Sequence, residues 1–291
     1  MSYGDRLMAI GDAWKQHQAD PLRRKVAIGD GQQLDPGQPD LLWGLDFLAS
    51  ADDLAAGTPV SWLHSYPHHR PYVDYAEMRR RLGWRRHFER LGFGLTGLLG
   101  HYCYNLDYRP TPAPIPLRPE ERALADEWSR RPFVALEPYI KPDAPPSKQW
   151  PVERFAEVAR RLSTEIPVYQ ISAPDSAALD GIPQIRPRSF REALAYLRAA
   201  RLYIGPEGGL HHGAAAMGTR GVVVYGGFTS PLITGYSFQV QLTGGASYAC
   251  GTRRGLCPHC AEHLGRITVD EVLGEARRLL ALPTAQSAAA A

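Results

Sequence analysis

The chain of 291 residues has little of several things, and each shortage excludes something. It has no run of about 18 apolar residues, so no transmembrane helix is expected. The opening Met1-Ser2-Tyr3-Gly4-Asp5 lacks the basic-then-apolar layout of a secretory signal, and a cytoplasmic address is the expectation. Four cysteines in a chain this long do not make a disulfide framework. The net charge is small, +3 from 33 basic and 30 acidic residues, whereas nucleic-acid binders concentrate far more positive charge. The run Arg79-Arg80-Arg81-Leu82-Gly83-Trp84-Arg85-Arg86-His87 is the exception. It reads either as a solvated helix end or as a docking surface for an anionic acceptor, which leaves a nucleic-acid partner open on that run alone.

Turn formers, in contrast, are abundant. The 28 glycines and 25 prolines are about half as many again as an average chain carries, a composition of many specialised loops. Such loops suit a ligand-binding enzyme better than a scaffold. The length allows two ordinary domains with real cores. The clearest boundary is Arg109-Pro110-Thr111-Pro112-Ala113-Pro114-Ile115-Pro116, where alternate prolines remove backbone donors and favour a stiff polyproline spacer.

Before that boundary a helix is expected over 5–18, opening after a Gly4-Asp5 turn. Strands are expected at Lys25–Gly29 and Gly57–Leu63. A helix over 74–90 would set Tyr75, Met78 and Leu82 on one face, and 91–100 stays ambiguous. His64, His68, His69 and His101 lie among many tyrosines in this half, and Pro67–Tyr72 reads either as an acceptor-cleft wall or as a surface loop. After the boundary, helices begin at Pro119, Val152, Phe190 and Leu210. They alternate with short apolar strands at Phe133–Leu136, Val168–Ile171, Leu202–Ile204 and Val222–Tyr225. That alternation predicts βαβ units and a parallel sheet covered on both faces. A last helix is expected over 266–282, before a tail ending in four alanines.

Chemistry concentrates at the turn Gly205-Pro206-Glu207-Gly208-Gly209-Leu210-His211-His212, where a strand ends and a helix of small residues begins. Ligands of open parallel sheets sit outside the carboxyl ends of the strands, and a helix N-terminus offers free N–H groups suited to a diphosphate. Glu207 can accept from sugar or ribose hydroxyls, and His211 and His212 can donate to phosphate oxygens. A glycine-rich turn without a ligand is the plain alternative. The earlier loop Glu137–Pro151 also follows a strand. Lys141 or Lys148 there can neutralise a phosphate, or simply be solvated, and Trp150 reads as packed. Cys250, Cys257 and Cys260 form a knuckle with His263 close behind; thiolates so spaced suit zinc or iron, with His263 or distant Cys103 completing the set. The alternative is a set of packed, reduced thiols.

Lys148-Gln149-Trp150-Pro151 and Glu207-Gly208-Gly209-Leu210-His211-His212 resemble glycosyltransferase family 9, the bacterial heptosyltransferases. The family carries a Lys-x-Trp-Pro stretch opening a helix and a later acid-x-Gly-Leu-x-His turn followed by alanines. The resemblance covers roughly residues 133–265 well and the N-terminal half poorly. It implies an α/β GT-B fold, two Rossmann-like domains with parallel sheets facing across a cleft: an acceptor-side domain over 1–116, a nucleotide-sugar domain over 117–265, and a helix in 266–291 packing back on the first. It implies inverting transfer of a sugar from a nucleotide-diphosphate sugar, ADP-heptose-like, to an acceptor glycan, lipid-linked glycan or protein. Gly4-Asp5 matches the family's Gly-Asp turn, which makes Asp5 the general base, although an aspartate there also reads as a helix cap. Lys141, Lys148, Glu207, Gly208, Gly209, Leu210, His211 and His212 would hold the donor. Some relatives use a metal finger, so zinc or iron at the cysteines would be structural, with no cofactor for catalysis. Three features depart from the family: no strand precedes Gly4, the first half is compact, and the donor turn has Glu207 where many relatives have aspartate. A non-catalytic nucleotide-sugar-binding protein and a non-transferring enzyme such as an epimerase are the rivals.

Overall fold

The computed structural model describes residues 2–64, 70–82, 100–173, 175–252, 255 and 257–283. It divides into two compact units, Met1–Pro116 with Leu232–Thr234, and Leu117–Pro231 with Gly235–Ala291. Among the described residues no helix is long and apolar enough to cross a membrane.

In the first unit α1 spans Tyr3–Ala19, two residues earlier than expected. Gly4 is therefore helical and forms no turn. The reason is a cap: the Ser2 hydroxyl accepts from the Asp5 N–H while the Asp5 carboxylate reaches back to Ser2, which satisfies two of the donors a helix start leaves open. The buried face of α1, including Leu7, Met8, Ile10 and Ala13, packs on the parallel pair β1 (Lys25–Gly29) and β2 (Val60–His64), which α2 (Ala51–Ala55) connects. Gly11 lies against the proline-rich segment so closely that a Cβ there would stand 1.9 Å from the Thr111 carbonyl oxygen. The segment expected as a spacer is thus seated on α1 at this point. Two strands form this sheet among the described residues, smaller than a Rossmann-like domain predicts. α3 (Tyr75–Leu82) buries Tyr75 and Met78 as its spacing requires. Arg80 and Arg81 in it both pair with Glu77. The rest of the expected 74–90 helix, the arginine run beyond Leu82, the 91–99 stretch, and His68 and His69 lie outside the described residues.

The second unit holds α4 (Pro119–Ser129), β3 (Val134–Leu136), α5 (Val152–Leu162), β4 (Val168–Ile171), β5 (Gln184–Ile185), α6 (Phe190–Ala199), β6 (Leu202–Pro206), α7 (Gly209–Ala216) and β7 (Gly221–Val224). After the single turn α8 (Pro231–Thr234), whose Leu232–Thr234 belong to the first unit, it continues with β8 (Val240–Leu242), α9 (Pro258–Arg266) and α10 (Val269–Leu280). The strands run parallel in the order β5-β4-β3-β6-β7-β8. Counted within the unit this is 3-2-1-4-5-6, the doubly wound nucleotide-binding order, whose direction of winding reverses between β3 and β6. β5 and β8, too short to show a pattern, were not expected from the sequence. Near-continuous apolar strands (Val134, Leu136, Leu202, Ile204, Val222, Val224) form the core with Phe155, Val158, Ala159 and Leu162 of α5. Trp150 is fully buried in it and donates from Nε1 to the Ile267 carbonyl at 3.2 Å, so it packs, as its surroundings suggested.

The apolar stripe of the last helix, Val272, Leu273, Ala276 and Leu279, is buried in this same core, where α10 packs on α5, β6 and β7. The physical reason is that one face of the sheet needs cover and α10 supplies it. α4 and α6 pack together through a buried bidentate pair, Arg191 Nε to Glu121 Oε1 at 2.7 Å and Nη2 to Oε2 at 2.6 Å. Removing one partner strands the other charge, so Glu121→Gln is expected to lose about 3 kcal/mol in urea unfolding, with Glu121→Leu/Arg191→Met recovering part of it.

Candidate functional site

The parallel register Leu136↔Ile204 brings the ends of β3 and β6 side by side, so Glu137 and Glu207 leave the sheet as neighbours at the point of reversal. β6 passes through Glu207 into α7, whose start is the extended Gly208. No side chain caps it, so its first-turn N–H groups, at Gly208, Gly209, Leu210 and His211, have no acceptor within the helix. Small residues let α7 sit this close: a Cβ on Gly213 would stand 2.9 Å from Leu194.

Glu207 is buried, with one partner at each carboxylate oxygen. Its Oε2 pairs with Lys148, which reaches it from the short turn Pro146–Lys148, and its Oε1 meets His212 Nε2 at 3.3 Å. His212 Nδ1 in turn meets the Tyr236 hydroxyl at 3.0 Å. Burial pushes the Glu207 carboxyl up, but Lys148 and the histidines outweigh it and hold it well below the usual carboxylate range. His211 is fully buried, and burial together with His212 holds its pKa well below the ordinary value, so it is neutral near pH 7. Neither of its ring nitrogens makes a well-formed hydrogen bond among the described residues. Glu207, His211 and His212 offer ligand atoms close enough for a metal, but the Lys148 ammonium already supplies the positive charge Glu207 needs. Lys141 stands apart from this group: it is exposed and pairs with Asp143 at 3.0 Å.

Asp5 belongs to the first unit. The cap reading of the sequence is present, and more besides. Tyr72 donates to Oδ1 at 2.9 Å, and Arg70 Nε and Ser2 Oγ donate to Oδ2 at 3.2 and 2.9 Å. The carboxylate is buried and oriented from two directions across 65 or more residues of sequence.

The three clustered cysteines converge. Cys250 Sγ lies 3.5 Å from Cys257 Sγ and 3.0 Å from Cys260 Sγ, and the thiol of Cys260 directed at it holds Cys250 well below the ordinary thiol range. The imidazole grouped with the sulfurs is that of His259. His259 lies within 4.8 Å of the sulfurs, whereas His263 Nδ1 engages the Gly244 carbonyl at 2.8 Å. Cys103, the other donor considered, is buried in the first unit. Both ring nitrogens of His259 are buried without a hydrogen bond among the described residues, Tyr248 stacks on the ring at 4.1 Å, and a Cβ on Gly227 would collide with it at 2.4 Å. Three close sulfurs with an orphaned imidazole fit a cation that prefers soft donors, zinc or iron.

The sequence profile of glycosyltransferase family 9 (heptosyltransferase) matches residues 95–257, more than half of the chain. The chain belongs to this family. Among solved structures it is similar to the glycosyl transferase family 9 protein from Veillonella parvula DSM 2008, at 18% identity, 96% of this chain, 95% of that chain and a TM-score of 0.61. It is also similar to TibC, the iron-containing dodecameric glycosyltransferase from enterotoxigenic E. coli H10407, at 17% identity, 96% and 73% coverage and a TM-score of 0.58. E. coli ADP-heptose lps heptosyltransferase II aligns at 22% identity and a TM-score of 0.44 over 58% of this chain, which spans about half of that protein's length (53%). No curated protein matches. These likenesses show the fold, an α/β GT-B architecture with parallel sheets.

For a family 9 chain, the sequence reading found Lys148, Glu207 and His212 and the structure brings them together. It passed over Glu137, Tyr203 and His259, and it held Arg70 and Tyr72 only as part of the Pro67–Tyr72 stretch. Glu137 had a legible signal, an acid directly after a strand; His259 had one too, lying inside Cys257-Pro258-His259-Cys260. Nothing local tied Arg70 and Tyr72 to Asp5. The Lys148–Glu207 pair can be tested by stability. Lys148→Met leaves a buried carboxylate without its cation, and at pH 7.5 a loss of about 3 kcal/mol is expected in urea unfolding. In this variant the Glu207 carboxyl rises above its unfolded value, so the loss shrinks as pH falls toward 5 and the carboxyl protonates.

Proposed function

We propose that the chain transfers a sugar, ADP-heptose-like in its donor, from a nucleotide-diphosphate sugar to an acceptor hydroxyl with inversion. The observation that carries this reading is the group of Lys148, Glu207 and His212 at the β3–β6 reversal, beside the open N–H groups of α7. A diphosphate leaving group carries negative charge that grows as its bond to the sugar breaks. Lys148 and the N–H groups at Gly208–His211 are fixed partners for that charge. Glu207, kept ionised, accepts from hydroxyls of the donor, and His212 holds its other oxygen. The acceptor oxygen forms its bond to the anomeric carbon as the bond to the phosphate oxygen breaks on the opposite face. One displacement of this kind inverts the centre, and the acceptor proton passes to Asp5. Arg70 and Tyr72 orient the Asp5 carboxylate. The acceptor is a glycan, a lipid-linked glycan or a protein, and the enzyme acts in the cytoplasm.

A second reading, a nucleotide-sugar-binding protein without catalysis, is favoured by one observation: the Asp5 carboxylate is already engaged by Arg70, Tyr72 and the helix cap. The assay that separates the two measures nucleoside diphosphate release from ADP-heptose with lipopolysaccharide core, free glycan or protein as acceptor. Asp5→Asn is expected to lower transfer at least about a hundredfold while ADP binding persists. Unchanged transfer would remove Asp5 from the chemistry, and release at equal rate without acceptor would favour a non-transferring enzyme.

Cys250, Cys257, His259 and Cys260 would hold a structural zinc or iron, in keeping with the iron-containing TibC. Bound there, the metal would tie Cys250 to the start of α9 and take no part in the transfer. Elemental analysis is expected to find about one such ion per chain. Cys257→Ser and His259→Ala would lose it, and His263→Ala would keep it; the reverse pattern for the histidines would restore His263 as the ligand.

A further inference from the structure

Two carboxyls leave the sheet at the β3–β6 reversal, and the donor-site account above uses only one. Glu137 follows β3 directly, and its own N–H donates to the Ile204 carbonyl of β6 at 2.8 Å, which fixes its backbone against that strand. The Tyr203 hydroxyl, from inside β6, donates to Glu137 Oε2 at 2.5 Å. Tyr203 is 1% exposed, so this partner does not swing away. The space for the pair is made by a glycine: a Cβ on Gly205 would stand 2.3 Å from the Tyr203 hydroxyl oxygen and 3.0 Å from Glu137 Cβ. Glu137 itself is only partly buried, so part of the residue stays accessible.

Charge divides unevenly between the two acids. Lys148 and His212 both go to Glu207, and among the described residues no ion pair reaches Glu137. The groups that face Glu137 are Tyr203 from β6, Glu207 from the turn after it, and Lys148 from the Pro146–Lys148 turn; His211 and His212 of α7 act on Glu207. Two carboxyls beside one ammonium do not both ionise at little cost. The Tyr203 hydroxyl also lies 3.2 Å from the Pro206 carbonyl; where it donates to the nearer Oε2, Oε1 is the oxygen left to carry a proton. Burial, with the Glu207 charge beside it, pushes the Glu137 carboxyl up to about 8.

We propose that Glu137 is a further donor-site residue, meeting the diphosphate of the nucleotide sugar as a neutral carboxylic acid that donates a hydrogen bond. This rests on the donor-site reading of Lys148 and Glu207. A diphosphate offers only acceptors, so an ionised carboxylate beside it is repelled, while the protonated form adds a donor to those of Lys148 and α7. The same two acids thus serve opposite ends of one ligand: Glu207, ionised, accepts from hydroxyls, and Glu137, protonated, donates to phosphate oxygens. No bond is made or broken by Glu137.

Calorimetric titration of the whole protein with ADP, and with UDP and GDP in parallel, between pH 7.5 and 9 tests this. If only the protonated form binds, affinity of the wild type falls about eightfold across that window, the fall in the protonated fraction of a group near 8. Glu137→Gln keeps a neutral donor of the same shape, and its affinity is expected to be flat across the window and above the wild type at pH 9. Tyr203→Phe removes a hydrogen bond that favours ionisation, so the midpoint of the fall should move to higher pH, a displacement that loss of packing alone would not produce. Circular dichroism checks that each variant is folded. A wild type with no pH dependence, or Glu137→Gln falling in parallel with it, overturns the proposal while leaving the donor site standing. Failure of all three nucleotides to bind at any pH overturns the donor site and this role with it.

Discussion

Parallel pairing of β3 with β6 is the constraint on which the second unit depends. These strands are separated in sequence by two helices and two strands, yet they are hydrogen-bonded neighbours, and the chain winds away from them in opposite directions. In sheets of this order the side chains that emerge just beyond these carboxyl ends are the ones placed to meet a ligand. What emerges is Glu137 and Glu207. The pair demands positive charge, and the loop after β3 is long enough to return Lys148 to it. The glycine-rich start of α7 follows from the same demand for closeness, since Gly213 faces Leu194 and Leu197 at distances no larger residue tolerates without displacement.

The chain meets the problem of buried charge in three ways. Glu121 and Arg191 neutralise each other in a bidentate fork that joins α4 to α6. Arg6 of α1 is equally buried and is matched by Asp35, through the carboxylate at 3.6 Å and the carbonyl at 3.3 Å. Glu137 has no such partner and keeps its proton instead. The first two are joints of the architecture, where a fixed counter-charge serves. The third is at the β3–β6 reversal, where a neutral acid can donate a hydrogen bond to a ligand. The thiol cluster is a further variation, with three sulfurs placed close enough to one another to share a cation.

The first unit follows a different economy. Its described sheet has two strands, and α1 is held on it by an apolar face and by the proline-rich segment seated against Gly11. Asp5 draws its partners from the helix cap and from the Arg70–Tyr72 stretch, so a residue whose sequence position announces only a cap becomes a carboxylate oriented by two long-range contacts. Capping and orientation are compatible because a carboxylate has room for about four hydrogen bonds on its two oxygens.

The amino-acid sequence by itself determined the alternation of apolar strands and helices in the second half, the break at the proline-rich segment, the glycine turn before α7 and the knuckle of cysteines. Each of these is written in neighbouring residues: periodicity, missing backbone donors, freedom from a Cβ, and a short spacing between thiols. Only the tertiary structure decided that α10 covers the second sheet, since an apolar stripe says that a helix must pack but not upon what. It alone grouped His259 with the sulfurs and set His263 against the Gly244 carbonyl. The two stand four residues apart on one helix, and the chain around Gly227 and Gly244 sets which imidazole meets the sulfurs and which meets a carbonyl. It alone paired Glu137 with Tyr203, 66 residues away, because the ionisation of a carboxyl is set by the charges and dipoles around it, and those come from strands that the sequence keeps apart.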